Sequence, residues 1–350
     1  IRSQMSPKRK LIIDTDGVAD DIRAVSLALQ HPDVEVLAIT TTHGCVKTEQ
    51  AAANVARALR ANGVKVPIYK GATTQFIKNT PIKEKTWDES VFFGKDGIGG
   101  QPTAFPEVLE SDFSCWEKEH AAQALIRLTR EHENVTVVAI GCLTNLALAL
   151  KLDDDFKRQL EGVVIMGGNY YGMGNVDSQS SAEFNFHGDP EAASIVLSEL
   201  ECPITVVPWE MMREGKKLQE VIDFDAHLKL GTPLSDFLAT ATSTARGRLS
   251  LRGSQYQYCD EIAVAVAIDA ERVITKSLKL RVAVELAGKY TRGQVMVDWI
   301  DQMWAADEAG ATDRGVDKTR RRVTFVTAYD VHVVDGMMMN ACRMGKKENE

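Results

Sequence analysis

Short apolar runs alternate along this chain with stretches whose apolar positions recur every three to four residues. Lys10 to Ile13 is short, apolar and β-branched, and reads as a buried strand. Ile22 to Leu29, just beyond it, has helical spacing. The alternation continues. Strands are predicted at 34–40, 66–69, 135–140, 162–166, 204–207, 278–286 and 322–327. Helices are predicted at 48–61, 116–130, 146–152 and 190–200, the last with Asp189 as cap and Pro190 at its first position. Residues 215–252 read as helical with breaks, and 262–268 is apolar throughout. This βαβα order predicts an α/β fold: an open, mostly parallel, Rossmann-like sheet with helices on both faces. Ligands bind such sheets at the carboxyl ends of the strands. Residues 71–115 are irregular and rich in Gly, Pro and Lys, and a segment of that kind inside a compact chain is often functional. No repeat or linker divides the chain, so 5–350 reads as a single domain, with 71–115 and 215–258 as elaborations over the site. Ile1 to Gln4 read as a remnant ahead of a natural start at Met5.

The first strand leads directly into Asp14-Thr15-Asp16-Gly17-Val18-Ala19-Asp20-Asp21, four carboxylates within eight residues. Gly17 permits a sharp turn where the strand ends. Asp20 and Asp21 fall at the start of the following helix, where negative charge is favoured. Capping accounts for one or two of these acids and not for four. Carboxylates so crowded repel one another, and a hard cation such as Ca²⁺ or Mg²⁺, which takes oxygen ligands, relieves the repulsion.

Composition narrows the setting. The chain has 350 residues, is 44% hydrophobic and carries a net charge of −8. The acidic balance argues against nucleic acid as a partner, since the basic runs Lys8-Arg9-Lys10 and Arg320-Arg321-Arg322 are too short to offset it. Six scattered cysteines with no CxxC pair fit a reduced, cytoplasmic setting. No apolar run approaches the roughly 20 residues of a membrane span.

Other small polar groups follow later strands. They are His43-Gly44-Cys45, Gly141-Cys142-Leu143-Thr144-Asn145, Met166-Gly167-Gly168, Gly174-Asn175, Ala182-Glu183-Phe184-Asn185 and Cys259-Asp260. Singly, each is a tight turn or a core polar residue; their force lies in all following strands of one predicted sheet. Together with the aspartate cluster and Asp189-Pro190-Glu191-Ala192-Ala193, they resemble the nucleoside hydrolase family, the inosine-uridine-preferring nucleoside N-ribohydrolases. The resemblance spans residues 11 to about 268, and Thr291-Arg292-Gly293 extends it. It implies a Ca²⁺ held by Asp16, Asp20, Asp21, Asp260 and the Ile140 carbonyl. It further implies Asp16 as general base, with Asp14 orienting the cluster from behind. Asn175, Glu183, Asn185 and Asp260 would hold the ribose, with Met166 and Phe184 beside it. The implied reaction is hydrolysis of a ribonucleoside to ribose and free base by a homodimer or homotetramer. The residue types suit an oxocarbenium-like transition state.

The chain departs from its relatives on the base side. Where many relatives carry a His just before the late aspartate, and others a Trp, it carries Cys259, a weak donor. Phe93 stands where relatives carry a His, and Cys45 where many carry Asn. Phe93, Trp209, Arg252, Tyr256 and Tyr258 are the remaining base-side candidates, and the aromatic area of Trp209 and the two Tyr favours a purine such as inosine. Two other readings compete. In a haloacid-dehalogenase-like Mg²⁺ phosphatase, Asp14 would be the nucleophile and Asp16 the acid, but Asn175, Glu183, Asn185 and Asp260 would have no role. A catalytically silent nucleoside-binding protein would have little need of Asp16.

Overall fold

The computed structural model describes residues 7–78, 92–176, 180–303 and 321–344. Ile1 to Gln4, Arg320 and part of the 71–115 elaboration lie outside the described residues.

Eight strands form one sheet in the order β3-β2-β1-β4-β5-β6-β10-β7. They are β1 (Arg9–Thr15), β2 (Val34–Thr41), β3 (Ile68–Lys70), β4 (Val135–Ala139), β5 (Gly162–Met166), β6 (Ile204–Val207), β7 (Ile274–Leu280) and β10 (Val323–Tyr329). Every pairing is parallel except β10 with β7. A pair of short strands, β8 (Val282–Val284) and β9 (Val295–Val297), stands apart.

Side chains alternate across the sheet, as the strand period requires. Leu11, Ile13, Val138 and Val164 enter one core with the helices Ala19–Gln30, Thr48–Ala61, Asp260–Val273 and Val331–Met344. Ile12, Val137, Ala139 and Ile165 enter the other with Ala121–Glu131, Thr144–Leu152 and Pro190–Glu199. Both faces are covered, which is why these strands read as continuous apolar runs.

The predicted α/β sheet is therefore present. The order of strands reverses at β1, which lies between β2 and β4. That reversal opens a crevice beyond the carboxyl ends of β1 and β4.

Two boundaries differ from expectation. The helix expected from 116 begins at Ala121, because Glu117 N–H donates to the Ile68 carbonyl at 2.8 Å and keeps the chain extended. The strand expected at 278–286 is split between β7 and β8. β7 is an exposed edge strand, so its side chains carry little apolar alternation. The apolar run 262–268 is the middle of the Asp260–Val273 helix.

Candidate metal and ribose site

The turn after β1 has one workable backbone. Gly17 has φ +68°, and an added Cβ would lie 2.7 Å from the Ala51 Cα. The Thr15 hydroxyl accepts from Gly17 N–H at 2.9 Å and donates to the Asp21 carboxylate, which also accepts from Val18 N–H at 3.2 Å. The Ala19–Gln30 helix thus starts with Asp20 and Asp21 in its first turn. Asp260 is the first residue of the Asp260–Val273 helix, which packs against it. Two helix N-termini, both favourable to negative charge, meet at one place.

Ligand-capable oxygens of Asp20, Asp21 and Asp260 all lie within 4.8 Å of one another. Asp16 lies outside that trio but lines the same cavity, of about 540 Å³. Its Oδ2 accepts from Cys45 N–H at 2.6 Å. An added Cβ on Gly44 would fall 2.1 Å from that oxygen. Gly44→Ala is therefore expected to displace Asp16 and cut turnover about 100-fold in a chain that still folds, since small misplacements of reacting groups cost that much; steady-state kinetics beside a melting curve checks it.

These carboxylates are strained as anions. Burial, with Coulomb repulsion from Glu261 and Asp16, pushes Asp20 up to about 7. Burial raises Asp16 as well, and burial with neighbouring acids raises Asp21 and Asp260 well above the usual carboxylate range. Asp20 Oδ1 is buried with no hydrogen-bond partner among the described residues. An unpartnered carboxylate oxygen inside a cluster of buried acids fits a divalent cation, which would both neutralise the charge and complete the coordination.

Asp14 sits one step back. It is fully buried and does not line the cavity. Its Oδ1 accepts from the Thr40 hydroxyl at 2.5 Å and from Asn145 at 2.7 Å. Asn145 in turn accepts from Ala72 N–H at 2.8 Å. This position suits a group that braces the β1 turn and not the attacking nucleophile that the phosphatase reading needs.

The amides and Glu183 line the same cavity as the acids. Glu183 caps the Phe184–Gly188 helix, accepting from Asn185, Phe186 and Gly168 N–H at 2.9, 3.2 and 2.8 Å. Burial nonetheless lifts it to about 7. Asn185 donates to the carbonyls of Ile140 and Met166 at 3.3 and 3.1 Å, tying the ends of β4 and β5 together. Asn175 accepts from Phe184 N–H at 2.7 Å. Ile140, Met166, Asn175, Glu183, Phe184 and Asn185 all line the cavity with the acids.

The base-side candidates divide. Phe93, Trp209, Tyr256 and Cys259 line the cavity. Tyr258 and Arg252 do not. Tyr258 is fully buried behind the site, donating to Asp335 at 2.6 Å and meeting the Phe224 ring edge-on, and Arg252 is exposed. The position of Tyr258 corrects the base-side expectation: its ring packs on Phe224 and its hydroxyl is held by Asp335, so it does not line the cavity. Tyr258→Phe is expected to cost about 1 kcal/mol of stability through the lost buried hydrogen bond, read as a lower denaturant midpoint.

Sequence reasoning missed Phe92, which joins the cavity wall, and a fully buried ion pair between Arg23 and Glu261. A charged residue among Ile22, Ala24 and Val25 was the available signal for the pair.

A family model described as inosine-uridine preferring nucleoside hydrolase matches residues 11–335. The chain belongs to the inosine-uridine-preferring nucleoside hydrolase family. It is 31% identical over 301 residues to the inosine-uridine preferring nucleoside hydrolase of Leishmania major, spanning 83% of this chain and 88% of that one. It is 37% identical over 200 residues to uridine nucleosidase 1 of Arabidopsis thaliana, a match that spans about half of that protein, 55%, and 57% of this chain. Among solved structures, an inosine-guanosine nucleoside hydrolase superposes with a TM-score of 0.80 at 30% identity, covering 96% of this chain and 99% of the other.

Proposed function

We propose that this chain hydrolyses the N-glycosidic bond of ribonucleosides, with purine nucleosides such as inosine as substrates and Ca²⁺ as its cation. The observation that carries the reading is the meeting of Asp16, Asp20 and Asp21 from the first strand turn with Asp260 from a late helix, across one cavity from Asn175, Glu183 and Asn185.

Asp16, Asp20, Asp21, Asp260 and the Ile140 carbonyl would hold the ion. Carboxylate and carbonyl oxygens without nitrogen or sulfur suit a hard cation. When bound, such an ion would supply Lewis acidity that lowers the pKa of a water in the cavity. Asp16 takes the proton of the attacking water, fixed in aim by Cys45 N–H. Asn175, Glu183, Asn185 and Asp260 orient the ribose hydroxyls, with Met166 and Phe184 closing on the sugar. The crowd of acids favours the positive charge that develops on the ring as the base departs.

Phe93, Trp209, Tyr256 and Cys259 give the base an aromatic, poorly hydrated wall, which supports a purine. The likeness to an inosine-guanosine enzyme supports it too, whereas an Escherichia coli relative, 31% identical over 295 residues, is described as pyrimidine-specific. A homodimer or homotetramer in the cytoplasm completes the proposal. The six cysteines are not joined in disulfides, and no helix among the described residues is long and apolar enough to cross a membrane.

The test is release of reducing sugar from inosine, guanosine, adenosine, uridine and cytidine, with and without a chelator. Faster release from purine nucleosides, abolished by chelation and restored by Ca²⁺, is the expected result. Faster release from uridine would overturn the purine assignment, and no release from any nucleoside would overturn the reading altogether.

A further inference from the structure

The Thr48–Ala61 helix puts no side chain into the cavity, but it bonds to two of the segments that form it. Asn54, 2% exposed, closes a run of three alanines on that helix. Its carboxamide nitrogen donates to the Gly17 carbonyl and to the Asp96 carbonyl, each at 2.8 Å. The first carbonyl belongs to the turn that presents Asp16, Asp20 and Asp21. The second belongs to the loop that follows Phe93. Asn54 Oδ1 accepts from Gln50 at 2.9 Å, which fixes the carboxamide with its nitrogen toward both carbonyls.

The loop itself is closed by its own hydrogen bonds. Gly99 N–H donates to the Phe93 carbonyl at 2.8 Å, and Asp96 Oδ1 accepts from Ile98 and Gly100 N–H at 2.9 and 2.8 Å. Gly97 has φ +84°, and an added Cβ would lie 2.8 Å from the Val18 side chain. Glycine at this position lets the loop rest directly on the turn after β1. Arg57 and Arg60 follow Asn54 at intervals of three, on the same face of the helix. Arg57 donates to the carbonyls of Gln101, Ala104 and Pro106 at 2.9, 2.9 and 2.5 Å, and Arg60 to that of Glu107 at 2.8 Å. They fasten the far half of the loop. Asn54 alone of the three also bonds the turn after β1.

Ala or Leu would suit a buried helical position better than Asn. A buried carboxamide is kept without penalty only where its groups are bonded, as they are here. What Asn54 adds is a set spacing between the turn that carries the acids and the loop that follows the Phe92–Phe93 wall. Resting on the nucleoside hydrolase reading, we propose that Asn54 is a positioning residue that ties the cation turn to this aromatic wall. One side chain outside the cavity thereby sets both the grip on the ion and the fit of the base. In that reading the substrate reaches from the acids to the wall, so the spacing between them is what it has to match, and misplacement by a fraction of its length costs binding and rate together.

The experiment titrates the intact chain calorimetrically with Ca²⁺ alone, then titrates the Ca²⁺-loaded chain with hypoxanthine. Asn54→Ala is expected to weaken each affinity about tenfold, the scale set by a lost buried hydrogen bond. Asn54→Leu, which keeps the volume and the helix, is expected to do the same. Arg57→Leu frees only the far half of the loop and leaves the Gly17 carbonyl bonded. It is expected to weaken hypoxanthine about threefold and to hold the Ca²⁺ affinity within about twofold. Unchanged affinities in both Asn54 variants, whatever happens to the melting temperature, would overturn the tie, and so would a loss confined to one of the two ligands. A tenfold loss of Ca²⁺ affinity in Arg57→Leu would trace the effect to general loosening of the fold and overturn it as well. A wild-type chain that binds neither Ca²⁺ nor hypoxanthine would instead overturn the nucleoside hydrolase reading, and this inference with it.

Discussion

Asp16→Asn is expected to lower kcat on a nucleoside by about 10³-fold while KM changes little. An amide of the same shape still accepts from Cys45 N–H, so the position of the side chain survives. What is lost is the capacity to take a proton from the attacking water. The same change removes one carboxylate from a cluster whose members raise one another's pKa values. The metal-free variant is accordingly expected to melt no lower than the wild type. Initial rates across substrate concentrations, beside a thermal melt with chelator present, separate the two effects. A loss of less than tenfold would remove Asp16 from the proton transfer.

Removing the cation is expected to abolish turnover and to lower the melting temperature by several degrees. An ion present at about 100 times its Kd contributes roughly 2.7 kcal/mol to the folded state, and a chain of this length moves by a few degrees per kcal/mol. The pH dependence has a definite sign. Unfolded Asp ionises near 3.8, whereas folded Asp20 and Asp14 hold their protons up to about 7. Between those values the folded chain binds more protons, so the stability of the chelated protein falls as pH rises from about 4 to about 7. Protons and the ion compete for the same oxygens, so the stabilisation given by Ca²⁺ grows over that window. Melting curves at pH 5 and pH 8, with chelator and with Ca²⁺, check both slopes. A chelated protein that is more stable at pH 8 than at pH 5 would contradict the account.

The sheet was legible because its inner strands are buried on both faces and so read as unbroken apolar runs. β7 was misplaced because an edge strand with exposed side chains carries no such signal. On the site, the acids after β1 were legible from their crowding, which ordinary capping does not explain. Asp260 and the amides gained meaning from the resemblance, because local pattern holds no record of which distant turns meet at a sheet crevice. Tyr256 and Tyr258 looked equivalent in the sequence. Only the packing of Tyr258 against Phe224, with its hydroxyl on Asp335, separates them. Arg23 stood out as a charge among apolar neighbours, but its partner could not be read from the sequence, since Glu261 lies on a helix far along the chain.

The crevice draws its acids from the first strand turn and from a helix far along the polypeptide, and this has a consequence for biosynthesis. A ribosome-bound chain that has folded β1 through β6 already displays Asp16, Asp20 and Asp21, yet lacks the helix that brings Asp260. Until that helix docks, the early acids face each other without their fourth member, and the proposed ion site is incomplete. Completion of folding is in this sense the event that assembles the site.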